Sequence, residues 1–302
     1  MRVLVAGWHG QVAMALSEAA ARRADVEAYA VGRPALDLTD RPSIGRTLFG
    51  VAPDVIINTA AYTDVEGAER EPHIAFRRNT EGSAALARQA ARIGVPVIHL
   101  STVYVFDGSK SAPYAETDPT NPVNAYGRSK RDGETAVVAA NPRHIILRTG
   151  WIYSPFNRNF VSSLIERAKT GDELRIDSEQ RGSPTYAPHL ATAILDIAAT
   201  VTSQPADRLW GTYHIADRGE ARWCDLAREA LANTRHQSRI TAITETPTVA
   251  ATAGRAPRPR NATLDCAKLE RTFGIALPPW QQAVADCVNR LEREPAASPH
   301  SA

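Results

Sequence analysis

Val3-Leu4-Val5-Ala6-Gly7-Trp8-His9-Gly10-Gln11-Val12-Ala13 decides the fold. Its first four residues form a wholly apolar run, as in a strand covered on both faces of a parallel sheet. A glycine turn follows, and then a helical pattern through Met14, Leu16 and Ala20. Strand, glycine turn and helix start together make an anion cradle. Gly7 and Gly10 let backbone approach a phosphate, and the unpaired N–H groups of the helix N-terminus face it. Ala13 stands at the third glycine position of a dinucleotide fingerprint and is still small enough for close helix–strand packing.

Working outward, the same alternation repeats. Val26–Val31 reads as a second strand, ending in Gly32-Arg33. An acidic residue there would hold ribose hydroxyls, whereas Arg33 either accommodates a 2′-phosphate, favouring NADPH over NADH, or is a solvated loop arginine. Asp37-Leu38 lies just beyond, where it could border an adenine. Pro53–Asn58 is a third strand, with the small residues Thr59–Ala61 at its end. A helical stretch over Ile74–Ile93 leads to a fourth strand, Pro96–Thr102, and His144–Arg148 is a fifth. This predicts an α/β, doubly wound, Rossmann-like parallel sheet over residues 1–150. Residues 151–302 are expected to form a smaller, mainly substrate-binding region, with some segments returning to the first domain and a disordered tail over 292–302. Helical candidates there are Phe160–Lys169, Leu190–Ala199 and Trp223–Ala232.

Ligands of open α/β sheets bind outside the carboxyl ends of the strands, which is where Ser101 and Thr102 fall. A hydroxyl there either meets a substrate carbonyl or caps a turn. One loop later comes Asn124-Ala125-Tyr126-Gly127-Arg128-Ser129-Lys130. Four residues apart on a helix, Tyr126 and Lys130 share a face. An ammonium group there would lower the phenol from its usual pKa of about 10, and such a tyrosine can act as a general acid. Arg255, Arg258 and Arg260 form a local basic cluster that either grips a diphosphate through guanidinium forks or is simply solvated.

Composition sets the outer bounds. Of 302 residues, 43% are hydrophobic and 23% charged, and the net charge is only +2. Nothing global therefore calls for nucleic acid or an anionic membrane. No apolar run approaches the roughly 20 residues that span a bilayer. Three dispersed cysteines, Cys224, Cys266 and Cys287, argue against a disulfide framework or thiolate metal site, and a cytoplasmic location is expected.

Taken together these stretches resemble the extended short-chain dehydrogenase/reductase superfamily and, within it, the dTDP-4-dehydrorhamnose reductase family. The likeness runs through Gly7–Val12, Asn58–Glu69, Ser101–Phe106, Tyr114–Asp118, Asn124–Lys130, Leu147–Tyr153, Asn159–Val161, Gln180–Thr185 and Arg258–Leu264. The resemblance implies reduction by NAD(P)H of the C4 carbonyl of a nucleotide-linked 4-ketosugar. Tyr126 would protonate the alkoxide, Lys130 would hold the nicotinamide ribose and tune Tyr126, and Thr102 would bind the reacting oxygen. Gly10, Gln11, Val12, Asp37, Leu38, Ala61, Tyr62 and Thr63 are implied as coenzyme neighbours, Trp151 as a sugar contact and Arg258 as a diphosphate contact. Two departures stand out. Val103 replaces the usual aspartate beside the substrate, which leaves a different ketosugar open, and Ala13 replaces a glycine. The Mg²⁺-binding glutamates of some members find no match, so Mg²⁺ is unassigned, and the resemblance admits a homodimer. Val103-Tyr104 cannot supply the acidic pair of a sugar dehydratase. A non-catalytic NADP-binding regulatory subunit is the alternative from another class.

Overall fold

The structure is a computed structural model that describes residues 1–170, 173–204, 206–235, 240–243 and 255–293. The chain opens with β1 (Arg2–Ala6), α1 (Gln11–Ala21), β2 (Glu27–Val31), α2 (Arg41–Val51) and β3 (Val55–Asn58). α3 (Val65–Arg70) follows, then α4 (Pro72–Phe76), which passes through a π-helical turn at Arg77–Gly82 into α5 (Ser83–Arg92). β4 (Val97–Thr102), α6 (Ala125–Ala140) and β5 (His144–Thr149) complete the first half. Next come β6 (Ile152–Tyr153), α7 (Phe160–Ala168), β7 (Leu174–Asp177), β8 (Arg181–Gly182), β9 (Thr185–Tyr186) and α8 (Ala187–Ser203). The chain continues with β10 (Gly211–His214), β11 (Ala221–Arg222), α9 (Trp223–Ala232), β12 (Ile240–Ile243), β13 (Asn261–Ala262), α10 (Ala267–Phe273) and α11 (Trp280–Arg293).

Six strands pair in parallel in the order β2-β1-β3-β4-β5-β10, the doubly wound sheet that the sequence predicts. Successive side chains of a strand point to opposite faces. Val3 and Val5 of β1 accordingly join Leu16 of α1 and Ile194 of α8, while Leu4 and Ala6 join Ile44 and Leu48 of α2 and Leu86 of α5. Both faces are covered, which is why β1 carries no polar residue between Val3 and Ala6. The order reverses between β1 and β3, so their carboxyl ends diverge and open a crevice there.

The second half completes one face of the sheet and builds a core of its own. α8 packs on α1, with Leu190, Ile194 and Ile197 fully buried, each contributing about 1.5–3 kcal/mol of burial. β10 extends the sheet beyond β5. Elements α7, α9 and α11 build a separate apolar cluster around Tyr153, Leu174 and Leu226.

Several readings need adjustment. The helical stretch expected over Ile74–Ile93 is present, with a π turn inside it at Arg77–Gly82. α11 runs to Arg293, so the tail expected to lose order from 292 is helical at its first two residues, and 294–302 lie outside the described residues. Much of the irregular Thr244–Arg260 stretch, residues 244–254, also lies outside them. Among the described residues no helix is long and apolar enough to cross a membrane.

α6 is fixed to the sheet by a buried ion pair. Arg148 of β5 donates through Nη2 to Glu134 at 2.7 Å and through Nε at 3.0 Å, with both side chains 8% exposed. Ser101 of β4 donates to the same carboxylate. Removing one partner of a buried pair leaves the other charge uncompensated. Glu134→Ala is therefore expected to lower unfolding free energy by about 3–5 kcal/mol, read as a reduced urea midpoint at unchanged slope.

Candidate active site

The crevice begins at the glycine turn. Gly7 has φ of +115°, and a Cβ there would lie 2.6 Å from Thr59 Oγ1, so only glycine lets β1 exit past the end of β3. Gly10 caps α1, with no side-chain cap and no acidic residue in the first turn. A Cβ on Gly10 would meet nothing within 4 Å. The first amides of α1 thus face open space with a partial positive charge, which fits a dinucleotide diphosphate. Two residues from the second half brace this turn. Ser154 hydrogen-bonds the Gln11 side chain at 2.7 Å, and Asn157, at φ of +57°, donates its amide to the His9 carbonyl.

The opposite wall is α6. Asn124 is its N-cap and accepts from Gly127 N–H at 2.7 Å. A Cβ at Gly127 would sit 2.1 Å from the Tyr104 carbonyl oxygen, and one at Gly133 2.4 Å from that of Asn79. These two glycines let the helix lie directly on backbone. The π turn in front of α5 aims Asn79 at both neighbours. It accepts from Tyr62 N–H at 2.7 Å, donates to the Tyr62 carbonyl at 3.0 Å and donates to Ser129 of α6 at 2.9 Å.

Between the walls lies a cleft of about 510 Å³. It brings together Gly10, Gln11, Val12, Ala61, Thr63, Thr102, Val103, Tyr126, Lys130 and Trp151. Burial pushes the Tyr126 phenol up to about 12, against the Thr102 hydrogen bond that draws it down. The sequence expectation that Lys130 lowers it is not met here. The Lys130 ammonium turns inward, donating to the Leu100 carbonyl at 2.6 Å and lying 3.5 Å from His99 Nε2. Burial pulls Lys130 down to about 8, against the raising effect of Glu134. His99 is held well below its usual range by burial and by the Lys130 charge, so it is neutral. Its Nδ1 meets the Asn58 amide at 3.0 Å.

The other anticipated residues lie outside this cleft. Gly7 is beneath the turn. Arg33 is exposed at the end of β2 and Leu38 is buried against Gly82. Asp37 accepts from the Thr39 N–H and hydroxyl, both at 2.8 Å. Against the upward push of burial, those bonds and the charges of Arg33 and Arg78 hold its carboxyl below the usual range. Arg78, which sequence reading passes over, also lies over the Tyr62 ring at 5.7 Å. Ser101, by contrast, lines the cleft, with its hydroxyl donated to Glu134.

Trp151 lines the cleft but is only 9% exposed, its ring stacked on Trp223 at 3.6 Å and crowding Gly182. It is as much a core residue as a candidate sugar contact. Val103 is wholly buried and presses toward Gly150, forming an apolar part of the wall. The basic cluster disperses. Arg255 is exposed, Arg260 lies 3.8 Å from Glu179, and only Arg258 reaches a side pocket of about 360 Å³. That pocket shares Tyr104 and Trp223 with the cleft and adds Arg167 and Arg175. Neither Trp223 nor these two arginines carries a sequence signal, because each lies in an ordinary helix or strand pattern. Among the described residues no group of three or more His, Cys, Asp or Glu gathers that could hold a metal.

Known proteins carry the same frame. The family model described as the RmlD substrate binding domain matches residues 1–293. A dTDP-4-dehydrorhamnose reductase of Sinorhizobium fredii is 45% identical over 94% of this chain and 95% of its own length. The Escherichia coli K12 enzyme of that name is 34% identical over 96% and 98%. The crystal structure of a Clostridium acetobutylicum dTDP-4-dehydrorhamnose reductase superposes with a TM-score of 0.87 at 31% identity, covering 97% of this chain and 100% of that one. A Bacillus anthracis dTDP-4-dehydrorhamnose reductase in complex with NADP gives 0.86 at 27% identity, covering 95% and 98%. With its glycine turn, its Tyr-x-x-x-Lys helix and this agreement along almost its whole length, the chain belongs to the dTDP-4-dehydrorhamnose reductase family.

Proposed function

We propose that the protein reduces the C4 keto group of dTDP-4-dehydro-L-rhamnose to give dTDP-L-rhamnose, with NADPH as the preferred coenzyme. The observation that carries the chemistry is that Tyr126 and Thr102 line one cleft together with Lys130, facing the uncapped N-terminus of α1. The names of the relatives supply the substrate, and the NADP complex of the Bacillus anthracis protein supports the coenzyme.

A reduced nicotinamide bound in this cleft supplies the hydride. The amides of Gln11 and Val12 and the small residues Ala61 and Thr63 bind and orient the dinucleotide. Arg33, with Arg78 nearby, meets a 2′-phosphate. Thr102 and Tyr126 both reach the substrate carbonyl oxygen, stabilising charge where it develops. Tyr126 is protonated at neutral pH, as a proton donor must be, and passes its proton to the new alkoxide. Lys130 binds the nicotinamide ribose and then bears on the phenol through that contact rather than directly. Trp151 and Val103 form the apolar wall against the hexose, and Arg258 meets the diphosphate. Residues 1–150 carry the dinucleotide and 151–293 mainly the nucleotide sugar, although α8 and β10 are built into the first layer.

Coenzyme oxidation with dTDP-4-dehydro-L-rhamnose, followed by identification of dTDP-L-rhamnose, tests this reading. Tyr126→Phe should lower turnover by about 10²-fold or more at unchanged coenzyme affinity. Near-normal turnover in that variant excludes Tyr126 as the acid. Arg33→Ala should shift the NADPH-to-NADH ratio of kcat/KM toward NADH by roughly tenfold, and an unchanged ratio removes Arg33 from 2′-phosphate binding.

A further inference from the structure

Three side chains clasp the segment around Arg258. Glu66 of α3 accepts from Arg258 Nη2 at 2.8 Å with one carboxylate oxygen. Its other oxygen accepts from the Ala256 N–H at 2.6 Å. Arg258 Nη1 donates to the Ala256 carbonyl at 2.9 Å, and its guanidinium lies 5.9 Å from the centre of the Tyr104 ring. From the far side, the Asn124 amide donates to the Pro257 carbonyl at 2.8 Å. Residues 256–258 are thereby tied to α3 and to the N-cap of the helix that carries Tyr126. Glu69, one turn along α3, accepts from the Ala125 N–H at 2.5 Å, so the same short helix holds the start of α6.

We propose that Glu66 is the positioning residue that sets Arg258 for the substrate diphosphate, a role that rests on the nucleotide-sugar reading given above. A guanidinium has five N–H donors in a fixed fork. Two are committed to Glu66 and to the Ala256 carbonyl, and Arg258 still reaches the side pocket with the remainder of its fork. A long arginine held this way loses less conformational freedom when the diphosphate arrives. Were Glu66 merely a counterion, its charge would compete with the diphosphate for Arg258 and its loss would tighten binding. The bond from its second oxygen to the Ala256 N–H argues otherwise. The carboxylate fixes the backbone beneath Arg258 as well as the side chain, leaving that backbone donor unpaired when it is removed.

The test is the affinity of the protein for thymidine diphosphate, measured calorimetrically on wild type, Glu66→Ala, Glu66→Gln and Arg258→Ala, with NADPH affinity as the control for folding. Glu66→Ala should weaken thymidine diphosphate by roughly tenfold and raise KM for the ketosugar far more than it lowers kcat. Glu66→Gln keeps an acceptor for Ala256 or Arg258 and should recover most of that loss. Adding Glu66→Ala to Arg258→Ala should cost little more, since the two act through one contact. Unchanged or tighter thymidine diphosphate binding in both Glu66 variants overturns the positioning role alone. Wild-type protein that binds NADPH but not thymidine diphosphate overturns the nucleotide-sugar reading, and this role with it.

Discussion

The site depends on the clasp between Glu134 and Arg148, because it decides where α6 lies. Arg148 reaches from β5 beneath α6 to a carboxylate that Ser101 of β4 also engages. A charge pair taken out of water repays its desolvation only with tight geometry and extra hydrogen bonds, and this one has both. It also sits one helical turn past Lys130 and two past Tyr126, so the same face that is anchored to the sheet carries these two residues. Gly127 and Gly133 complete the constraint. With no Cβ, they let α6 settle onto the backbone of the Val103–Val105 turn and of the π turn. The phenol is brought to Thr102 as a consequence of that approach.

Burial then sets the protonation states. Taking a phenol or an ammonium out of water disfavours its charged form in each case. Tyr126 therefore rises to about 12 while Lys130 falls to about 8. The first of these shifts leaves the phenol protonated at neutral pH, as its ordinary value of about 10 already would. The second leaves Lys130 poised to gain stabilisation from any polar partner that enters the cleft, since its present partners are one carbonyl and a neutral imidazole. His99 does not take up a second proton beside that ammonium. Because the Asn58 side-chain oxygen accepts from the Ala60 N–H, its amide group faces His99 Nδ1, and the ring is fixed in place.

What the sequence revealed and what it concealed divide along physical lines. β1 and β3–β5 were legible because burial on two faces concentrates apolar residues in short runs, Val3–Ala6, Val55–Ile57, Val97–Ile98 and Ile145–Leu147. The glycine turn was legible because Gly7 occupies a backbone conformation and a contact that no other residue tolerates. β10 was not, since Gly211-Thr212-Tyr213-His214 is a short edge strand with no alternation and pairs with a partner far away in sequence. The π turn hid inside a continuous helical pattern, because one extra residue per turn leaves no mark on composition. The Tyr126–Lys130 spacing placed both residues correctly, but spacing could not show that Lys130 would turn to the Leu100 carbonyl. Trp151 was found by resemblance, yet its stacking on Trp223, from a helix some seventy residues on, is purely tertiary.

The two halves meet across the cleft through bonds whose partners are distant in sequence, and this bears on how binding one ligand affects the other. Ser154 and Asn157 hold Gln11 and His9 of the coenzyme turn. Asn124 holds Pro257 next to Arg258. Each bond has one member in the coenzyme half and one in the half built from α7, α9 and α11. A ligand held by either wall therefore touches residues hydrogen-bonded to the other, the kind of link through which two binding sites can be coupled. Such coupling is reciprocal. On the proposed assignment of the coenzyme to the glycine turn and of the diphosphate to Arg258, the Ser154 and Asn157 bonds link the first site to the segment that leads to α7, and the Asn124 bond links the second to the helix that presents Tyr126.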